Sequence, residues 1–118
     1  MNSILNSVKK LLGITEDTED FDVDILIHIN STFMILNQLG VGPKEGFSIT
    51  GPETEWSEFI EQPNLIEAVK SYMYMQVRLM FDPPQTSSVL ESMKEKIKEL
   101  EWRLNVQVDP ENQNEVQT

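Results

Sequence analysis

The segment from Phe21 to Pro43 constrains the fold of this chain more than any other part of the sequence. Apolar residues recur in it at spacings of three and four, which is the pattern of one helical face. That face contains Ile25, Ile29, Phe33, Leu36 and Leu39. Further apolar residues lie beside or opposite it, namely Leu26, Ile27, Met34 and Ile35. A helix that is apolar around most of its circumference is either fully buried or shared with another subunit. In a chain of 118 residues, contact with another subunit is a serious alternative.

Three further helices are predicted, so we expect an all-α domain with four main helices. The first runs from about Ser3 to Leu12 and ends at Gly13, because glycine readily adopts the left-handed cap conformation. The third runs from an N-cap at Asn64 to Phe81, where the following Asp-Pro-Pro sequence stops it.

The fourth predicted helix has the most regular apolar pattern and continues to about residue 106. Its apolar seam has the 3, 4, 3, 4 spacing of a coiled coil. The seam consists of Leu90, Met93, Ile97, Leu100 and Leu104. The predicted N-caps are Thr86, Ser87 or Ser88 for this helix and Thr18 or Asp20 for the second helix. Ser88 with Glu91 also matches a capping box.

The connection from Val41 to Asn64 is long for a small domain, and such loops are usually functional or disordered. Its glycines and prolines exclude regular helix over much of its length. Residues 55–60 are expected to form one helical turn that seats Trp56 on the core. A short strand around residues 47–49 would pair only between neighbouring subunits.

The net charge of −11 is the strongest compositional fact, with nine basic residues against twenty acidic ones. Proteins that bind nucleic acid concentrate Lys and Arg to replace counterions on phosphates, so tight DNA binding is not expected. The acidity is compatible with solubility, with repulsion of DNA, or with a partner that has basic patches. The chain has no cysteine, no apolar run long enough for a membrane span and no signal-peptide pattern, so the simplest expectation is assembly in the cytosol.

The candidate chemical motifs are weak. Asp20, Asp22 and Asp24 imitate the start of a calcium-binding EF-hand loop, but an isoleucine stands where that loop requires Gly and a serine where it requires Glu. These acids are instead expected to favour the positive N-terminal end of the second helix. His28 is the only histidine, and no nucleophile accompanies it. The sequence therefore predicts no catalytic, metal or cofactor site and no enzyme activity.

Three segments together resemble a known family. They are the second helix from Phe21 to Pro43, the stretch from Val77 to Pro84, and the stretch from Lys98 to Asn105. Over residues 1–106 the chain resembles the head–tail connector (adaptor) proteins of long-tailed bacteriophages. The resemblance implies a helical connector domain at residues 1–106 and a flexible polar tail at residues 107–118.

The same resemblance implies a structural virion protein of the head–tail neck. Such proteins form a ring below the portal that is expected to follow its twelvefold symmetry. The implied partners are further copies of this chain, the portal protein and a stopper or tail-completion protein. DNA would pass through the channel without specific binding, repelled by carboxylates. No membrane contact is implied, and assembly would take place in the host cytoplasm.

Residue types and the resemblance together give candidate contact residues. The candidates for portal and subunit contacts are Trp102, Arg103, Asn105, Val106, Tyr74 and Met75. The candidates in a loop that faces the rest of the neck are Phe47, Ile49 and Trp56. Trp and Arg are the residue types that most often dominate binding energy at interfaces, and Met suits surfaces that repack. The alternative for Trp102 is packing against its own chain, and for the methionines it is core filling.

The net charge also permits a second interpretation, in which the protein is an acidic inhibitor that mimics DNA and blocks a nucleic-acid enzyme. The uneven placement of the charge counts against it, because six acids crowd into residues 16–24 and the fourth helix alternates in sign. A regulatory helical dimer is a third alternative, but the chain lacks a basic recognition helix.

Overall fold

The chain consists of helices and connecting loops in a computed structural model that describes residues 2–108. Five helices lie within this range, and no strand does. They are α1 (Ile4–Leu11), α2 (Asp22–Gln38), α3 (Trp56–Phe59), α4 (Pro63–Phe81) and α5 (Ser87–Val108). The all-α prediction is confirmed. The predicted tail begins at residue 107, yet α5 includes residues 107 and 108, and the remainder of the tail lies outside the described residues.

The N-terminal residues fasten α1 to the segment that precedes α3. The N–H of Asn6 donates to Oγ of Ser3, which is the N-cap of α1, and the same hydroxyl donates to the carbonyl of Pro52. The backbone N–H of Ile4 also donates to the carbonyl of Thr54 at 3.0 Å, and that of Trp56 donates to the carbonyl of Asn2 at 3.0 Å. As predicted, α1 ends before Gly13, whose φ of +82° is the left-handed conformation that glycine adopts without steric cost.

The predicted N-caps of the second and third helices are wrong. α2 begins after Phe21 without a side-chain cap, since Asp22 at its first position pairs with a lysine of α1 instead. The N-cap of α4 lies two residues earlier than predicted, at Gln62, and Pro63 is the first residue of the helix. Proline favours that position because its fixed φ suits a helix and its missing N–H would have had no helical partner.

The fourth predicted helix begins at Ser87, and the N–H of Leu90 donates to the carbonyl of Thr86. Ser88 therefore lies inside the helix rather than at its cap. A capping box does occur, but at α3, where the side chains of Glu55 and Glu58 bond each other's backbone N–H groups.

The core lies where α2 and α4 pack together, with α1 and α5 on either side. The predicted inward face of α2 is buried from Ile25 to Leu36, and the seam of α5 is buried at Ile97 and Leu104 and half-buried elsewhere. The loop also contributes to the core: Phe33 of α2 contacts the rings of Phe47 and Phe59 at centroid distances of 5.0 and 4.7 Å. The connection from α2 to α4 is therefore held by its own apolar side chains.

Candidate assembly surfaces

A buried ion pair fixes the junction between α1 and α2. Lys9 is only 1% exposed, and its Nζ lies 2.8 Å from Oδ1 of Asp22. The same ammonium donates to the carbonyls of Thr18 at 2.7 Å and Glu16 at 3.2 Å. Three oxygen partners compensate the desolvation of the charge. The polar linker between the two helices is thus wrapped around one lysine, which sets the direction in which α2 leaves α1.

The outer face of α2 carries an apolar stripe that nothing in the described chain covers. Val23 is 70% exposed, Ile27 56% and Met34 65%. Their spacings of four and seven place them on one side of the helix, about opposite Ile29 in the core. We call these three residues the α2 stripe. Exposed apolar residues grouped on one face, rather than scattered singly, mark contact surfaces.

A second apolar surface lies between the N-terminal half of α4 and the middle of α5. Its floor and walls are formed by Leu11, Tyr74, Met75 and Met93, and its rim by Glu67, Lys70, Ser71 and Lys96. We call it the α4–α5 groove. Leu11 projects into it from the end of α1 and is more than half exposed. Two of the predicted contact residues, Tyr74 and Met75, thus share one surface.

Hydrogen bonds at the opposite side of the α4–α5 pair hold these helices in register. Tyr72 is fully buried, and its hydroxyl donates to Oε2 of Glu101 at 2.6 Å while it accepts from Nε2 of Gln76 at 2.9 Å. Burial, followed by the hydrogen bond to Glu101, raises the pKa of Tyr72 well above its ordinary value. The phenol therefore stays neutral and acts as a fixed donor.

The C-terminal part of α5 holds the other four predicted contact residues, and the structure separates their environments. Trp102 is 67% exposed, so the alternative of packing against its own chain does not describe it. Arg103 is exposed and pairs with Glu99 at 2.7 Å. Asn105 donates to the carbonyl of Leu39 at 3.2 Å and so joins α5 to the end of α2. Val106 is half-buried. Only the first two are mainly at the surface.

The three candidate residues of the neck-facing loop are buried or half-buried, which was expected only of Trp56. Trp56 is buried and donates through Nε1 to Oγ of Ser7 at 2.9 Å. Ile49 is buried too, and Asn30 of α2 bonds both its backbone groups: Oδ1 accepts from the N–H at 2.8 Å, and Nδ2 donates to the carbonyl at 3.0 Å. Phe47 is half-buried against two other rings. These residues hold the loop in place.

The hydrogen bonds between Asn30 and Ile49 also oppose the strand that was expected at residues 47–49. Asn30 occupies both polar groups of Ile49, which a strand at that position would use for pairing. Pairing between subunits through this residue would first require those bonds to break. Within the described chain, residues 47–49 form no strand.

The residues considered as candidates for chemistry, His28 and Asp22, make contacts that stabilise the fold. The ring of His28 lies 6.5 Å from that of Phe81, edge to face, and Asp22 is paired with Lys9. The described residues contain no group of three His, Asp or Glu side chains that could hold a metal ion. Within the same range, no helix combines the length and hydropathy that a bilayer crossing requires.

Sequence reasoning missed three polar residues that position these surfaces: Lys9, Asn30 and Tyr72. Lys9 stands four residues after Leu5 and three before Leu12, so it lies on the inward side of α1, and this position was a usable signal. No comparable signal existed for Asn30 or Tyr72, because their partners are nineteen and twenty-nine residues away along the chain.

The residues that the structure describes form a small all-α domain whose most notable features are two open apolar surfaces, and such surfaces mark contacts with other proteins. A family model described as phage connector protein matches residues 4–111. The chain therefore belongs to the phage connector protein family, whose members are structural, non-enzymatic components of the virion neck associated with portal and tail components. This match confirms the family resemblance of the three sequence segments. No curated protein and no solved structure matches the chain significantly.

Proposed function

We propose that this chain forms a ring below the portal vertex, joins the DNA-filled head to the tail and lines the DNA exit channel. The ring follows the twelvefold symmetry of the portal and provides the platform on which a stopper or tail-completion protein docks. Assembly takes place in the host cytoplasm, and the finished ring is part of the virion neck. Membership of the connector family supports this proposal.

The exposure of the α2 stripe is the structural observation that most strongly supports the proposal. An apolar face that extends over about three turns of a helix otherwise central to the core is costly to leave in water. An exposed apolar face of this kind is characteristic of a subunit that completes its burial in an assembly. Contacts around a ring would cover it.

The portal-facing contacts are proposed at the C-terminal part of α5. Trp102 offers a large exposed aromatic side chain, and Arg103 exchanges its exposed Glu99 partner at low cost. Asn105, bonded to Leu39, keeps this part of α5 against the end of α2 and so fixes the direction in which Trp102 points. Val106 and the residues that follow it complete the proposed contact with the portal.

The loop between α2 and α3 is proposed to face the next component of the neck. Buried Ile49 and half-buried Phe47 hold the loop in place, and Trp56 fixes its far end at the start of α3. The exposed side chains of the loop, among them Lys44, Glu45 and Glu53, offer polar contacts. A preorganised loop loses little conformational entropy on binding. The proposed contact residues are thus the neighbours of the three residues that sequence reasoning selected.

The acidic composition is proposed to keep DNA from adhering to the channel wall. Like charge repels phosphates, and a net charge of −11 per subunit is multiplied by the number of subunits in the ring. Basic residues are too few and too scattered for a phosphate-binding track.

The test is to delete the gene in its phage, induce the phage and image the lysate by negative-stain electron microscopy. Separate filled heads and free tails are expected, and a plasmid-borne copy of the gene should restore joined particles. Heads of the deletion phage that retain the portal would locate the missing ring directly below it. Normal infectious virions would overturn the proposal and favour the acidic inhibitor instead.

A further inference from the structure

The chain leaves two apolar surfaces open, and they have no residue in common. The α2 stripe is convex, because it is one side of a helix, whereas the α4–α5 groove is concave. A convex face and a concave face of one molecule do not cover each other. They are covered either by other copies of the same chain or by a different partner. Their charges indicate which of these applies.

The two surfaces lie in parts of the chain with opposite charge balance. Residues 11–43, which include α2, contain six acids and neither Lys nor Arg. By contrast, α4 and α5 hold six of the nine basic residues of the chain and five acids. The carboxylate of Asp24 is exposed beside the stripe, and Glu45 and Met34 line one shallow depression. Lys70 and Lys96 stand at the rim of the groove.

The rim lysines are free to change partners. Lys70 lies 3.6 Å from Glu67, and Lys96 lies 4.0 Å from Glu99. Both pairs are exposed and connect neighbouring turns of one helix, a type of contact that contributes little and is screened by salt. Carboxylates brought in beside the stripe of another molecule would compete with these pairs at low cost.

We propose that the α2 stripe of one copy docks into the α4–α5 groove of the next copy, with Asp24 and Glu45 placed toward Lys70 and Lys96. This proposal rests on the ring described above and names the surfaces that build it. Because the two surfaces differ, the contact is head-to-tail, and a head-to-tail contact repeats from copy to copy until a ring closes. A symmetric contact of stripe with stripe would instead bring two acidic surfaces together, which is unfavourable.

Complementary variants of the purified protein test the pairing. Ile27→Asp damages the stripe and leaves the groove intact, while Lys70→Glu/Lys96→Glu damages the groove and leaves the stripe intact. Each variant alone is expected to associate at least about tenfold more weakly than the wild type in sedimentation velocity, since apolar contact or charge complementarity is lost. An equimolar mixture should form one-to-one heterodimers that grow no further, because only one intact pair of surfaces remains.

The matched control is Lys94→Glu/Lys98→Glu, which makes the same total charge change at two positions of α5 outside the groove. It is expected to associate like the wild type. Equal loss in this control, a mixture that stays monomeric while the wild type associates, or a groove variant that loses only portal binding would each overturn the proposal.

Cross-linking tests the same contact when association in solution is weak, and the chain has no cysteine of its own. Leu11→Cys and Ile27→Cys are at exposed positions of the groove and the stripe. Phage carrying both substitutions, treated with a short bismaleimide, should give a ladder of covalent multimers of this chain. Each single substitution, and Ile27→Cys combined with Ser57→Cys on α3, should give none.

The outcomes also separate this inference from the proposed function. Joined virions without the Leu11–Ile27 ladder would overturn the pairing and leave the neck function standing. Dimers from Ile27→Cys alone would establish a symmetric contact and would also overturn it. If the doubly substituted phage does not assemble, the mixture of purified variants decides. Normal virions from the deletion phage would remove the ring and the pairing together.

Discussion

The ammonium group of Lys9 lies 2.8 Å from Oδ1 of Asp22 and joins the last turn of α1 to the first turn of α2. Lys9 is completely enclosed, and the backbone carbonyls of Glu16 and Thr18 occupy its remaining donors. This single side chain therefore determines the path of the connecting linker and the direction of the helix that carries the exposed stripe.

Replacing Lys9 with Met is expected to destabilise the fold by about 3 kcal/mol, because breaking a buried pair leaves an unpaired carboxylate and two unbonded carbonyls. Urea unfolding followed by circular dichroism measures this loss. Lys10→Met is the control, since Lys10 is exposed and its replacement should change stability by less than about 0.5 kcal/mol. Equal effects of the two substitutions would show that the buried pair has no special importance.

Tyr72 gives the fold a defined sensitivity to alkaline pH. Its pKa is raised in the folded state by burial and by the bond to Glu101, while the unfolded chain titrates near the ordinary value of about 10. Stability is therefore full below pH 10 and falls as the pH rises above it, since the unfolded state loses the phenolic proton first. Chemical unfolding between pH 8 and pH 11 measures the slope.

Tyr72→Phe is the control for that measurement. It should cost about 1 kcal/mol at neutral pH through the lost hydrogen bonds, and it should reduce the decline above pH 10. A decline of the same steepness in this variant would mean that other groups cause the alkaline sensitivity.

Asn30→Ala is expected to loosen the loop after α2 without unfolding the helix itself. The substitution removes both partners of the Ile49 backbone, and a buried N–H left unbonded costs about 1 to 3 kcal/mol. Hydrogen exchange should accelerate at the Ile49 amide far more than in α4. The exposed neighbour supplies the control, Ser31→Ala, and unchanged exchange at Ile49 in the Asn30 variant would contradict the assignment.

Substitutions at Gly42 and Gly46 distinguish the cost of backbone strain from the cost of steric overlap. Gly42 and Gly46 have φ values of +90° and +96°, so Ala at either position costs about 1 to 2 kcal/mol in the left-handed conformation. A Cβ at Gly42 would also overlap the ring of Phe59, whereas a Cβ at Gly46 meets no neighbour. Gly42→Ala should therefore lower the thermal midpoint clearly more than Gly46→Ala, and equal midpoints would refute the close approach to Phe59.

Trp102→Ala is expected to separate binding from folding. The side chain is largely exposed, so stability should change by less than about 0.5 kcal/mol, while portal binding should weaken by roughly 30-fold if Trp102 is a dominant contact worth about 2 kcal/mol. Titration of labelled protein against purified portal measures the affinity. Val89→Ala is the control at another exposed apolar position of α5. Unchanged portal affinity for the Trp102 variant would assign that contact elsewhere.

The long helices were predictable because their signal is local. Ile25, Ile29 and Phe33 lie at helical spacing in the sequence, and the same residues form the inward face of α2. The first residues of the helices were less predictable. Asp22 begins α2 and pairs with Lys9 of α1, and Gln62 is the N-cap of α4 because Pro63 follows it as the first helical residue. Trp56 was expected on the core and lies there, but the inward direction of Ile49 was not predictable, because it depends on Asn30 of α2, nineteen residues away along the chain.

The sequence by itself determined the helical class, the inward face of each long helix, the acidic character and the connector family, since periodicity, charge and family motifs are properties of neighbouring residues. Only the tertiary structure decided which apolar residues remain outside. Ile27 and Phe33 are both apolar in the sequence, yet the rings of Phe47 and Phe59 pack on Phe33, whereas Ile27 stays in water. Burial depends on which elements pack together, and that follows from contacts between residues far apart along the chain.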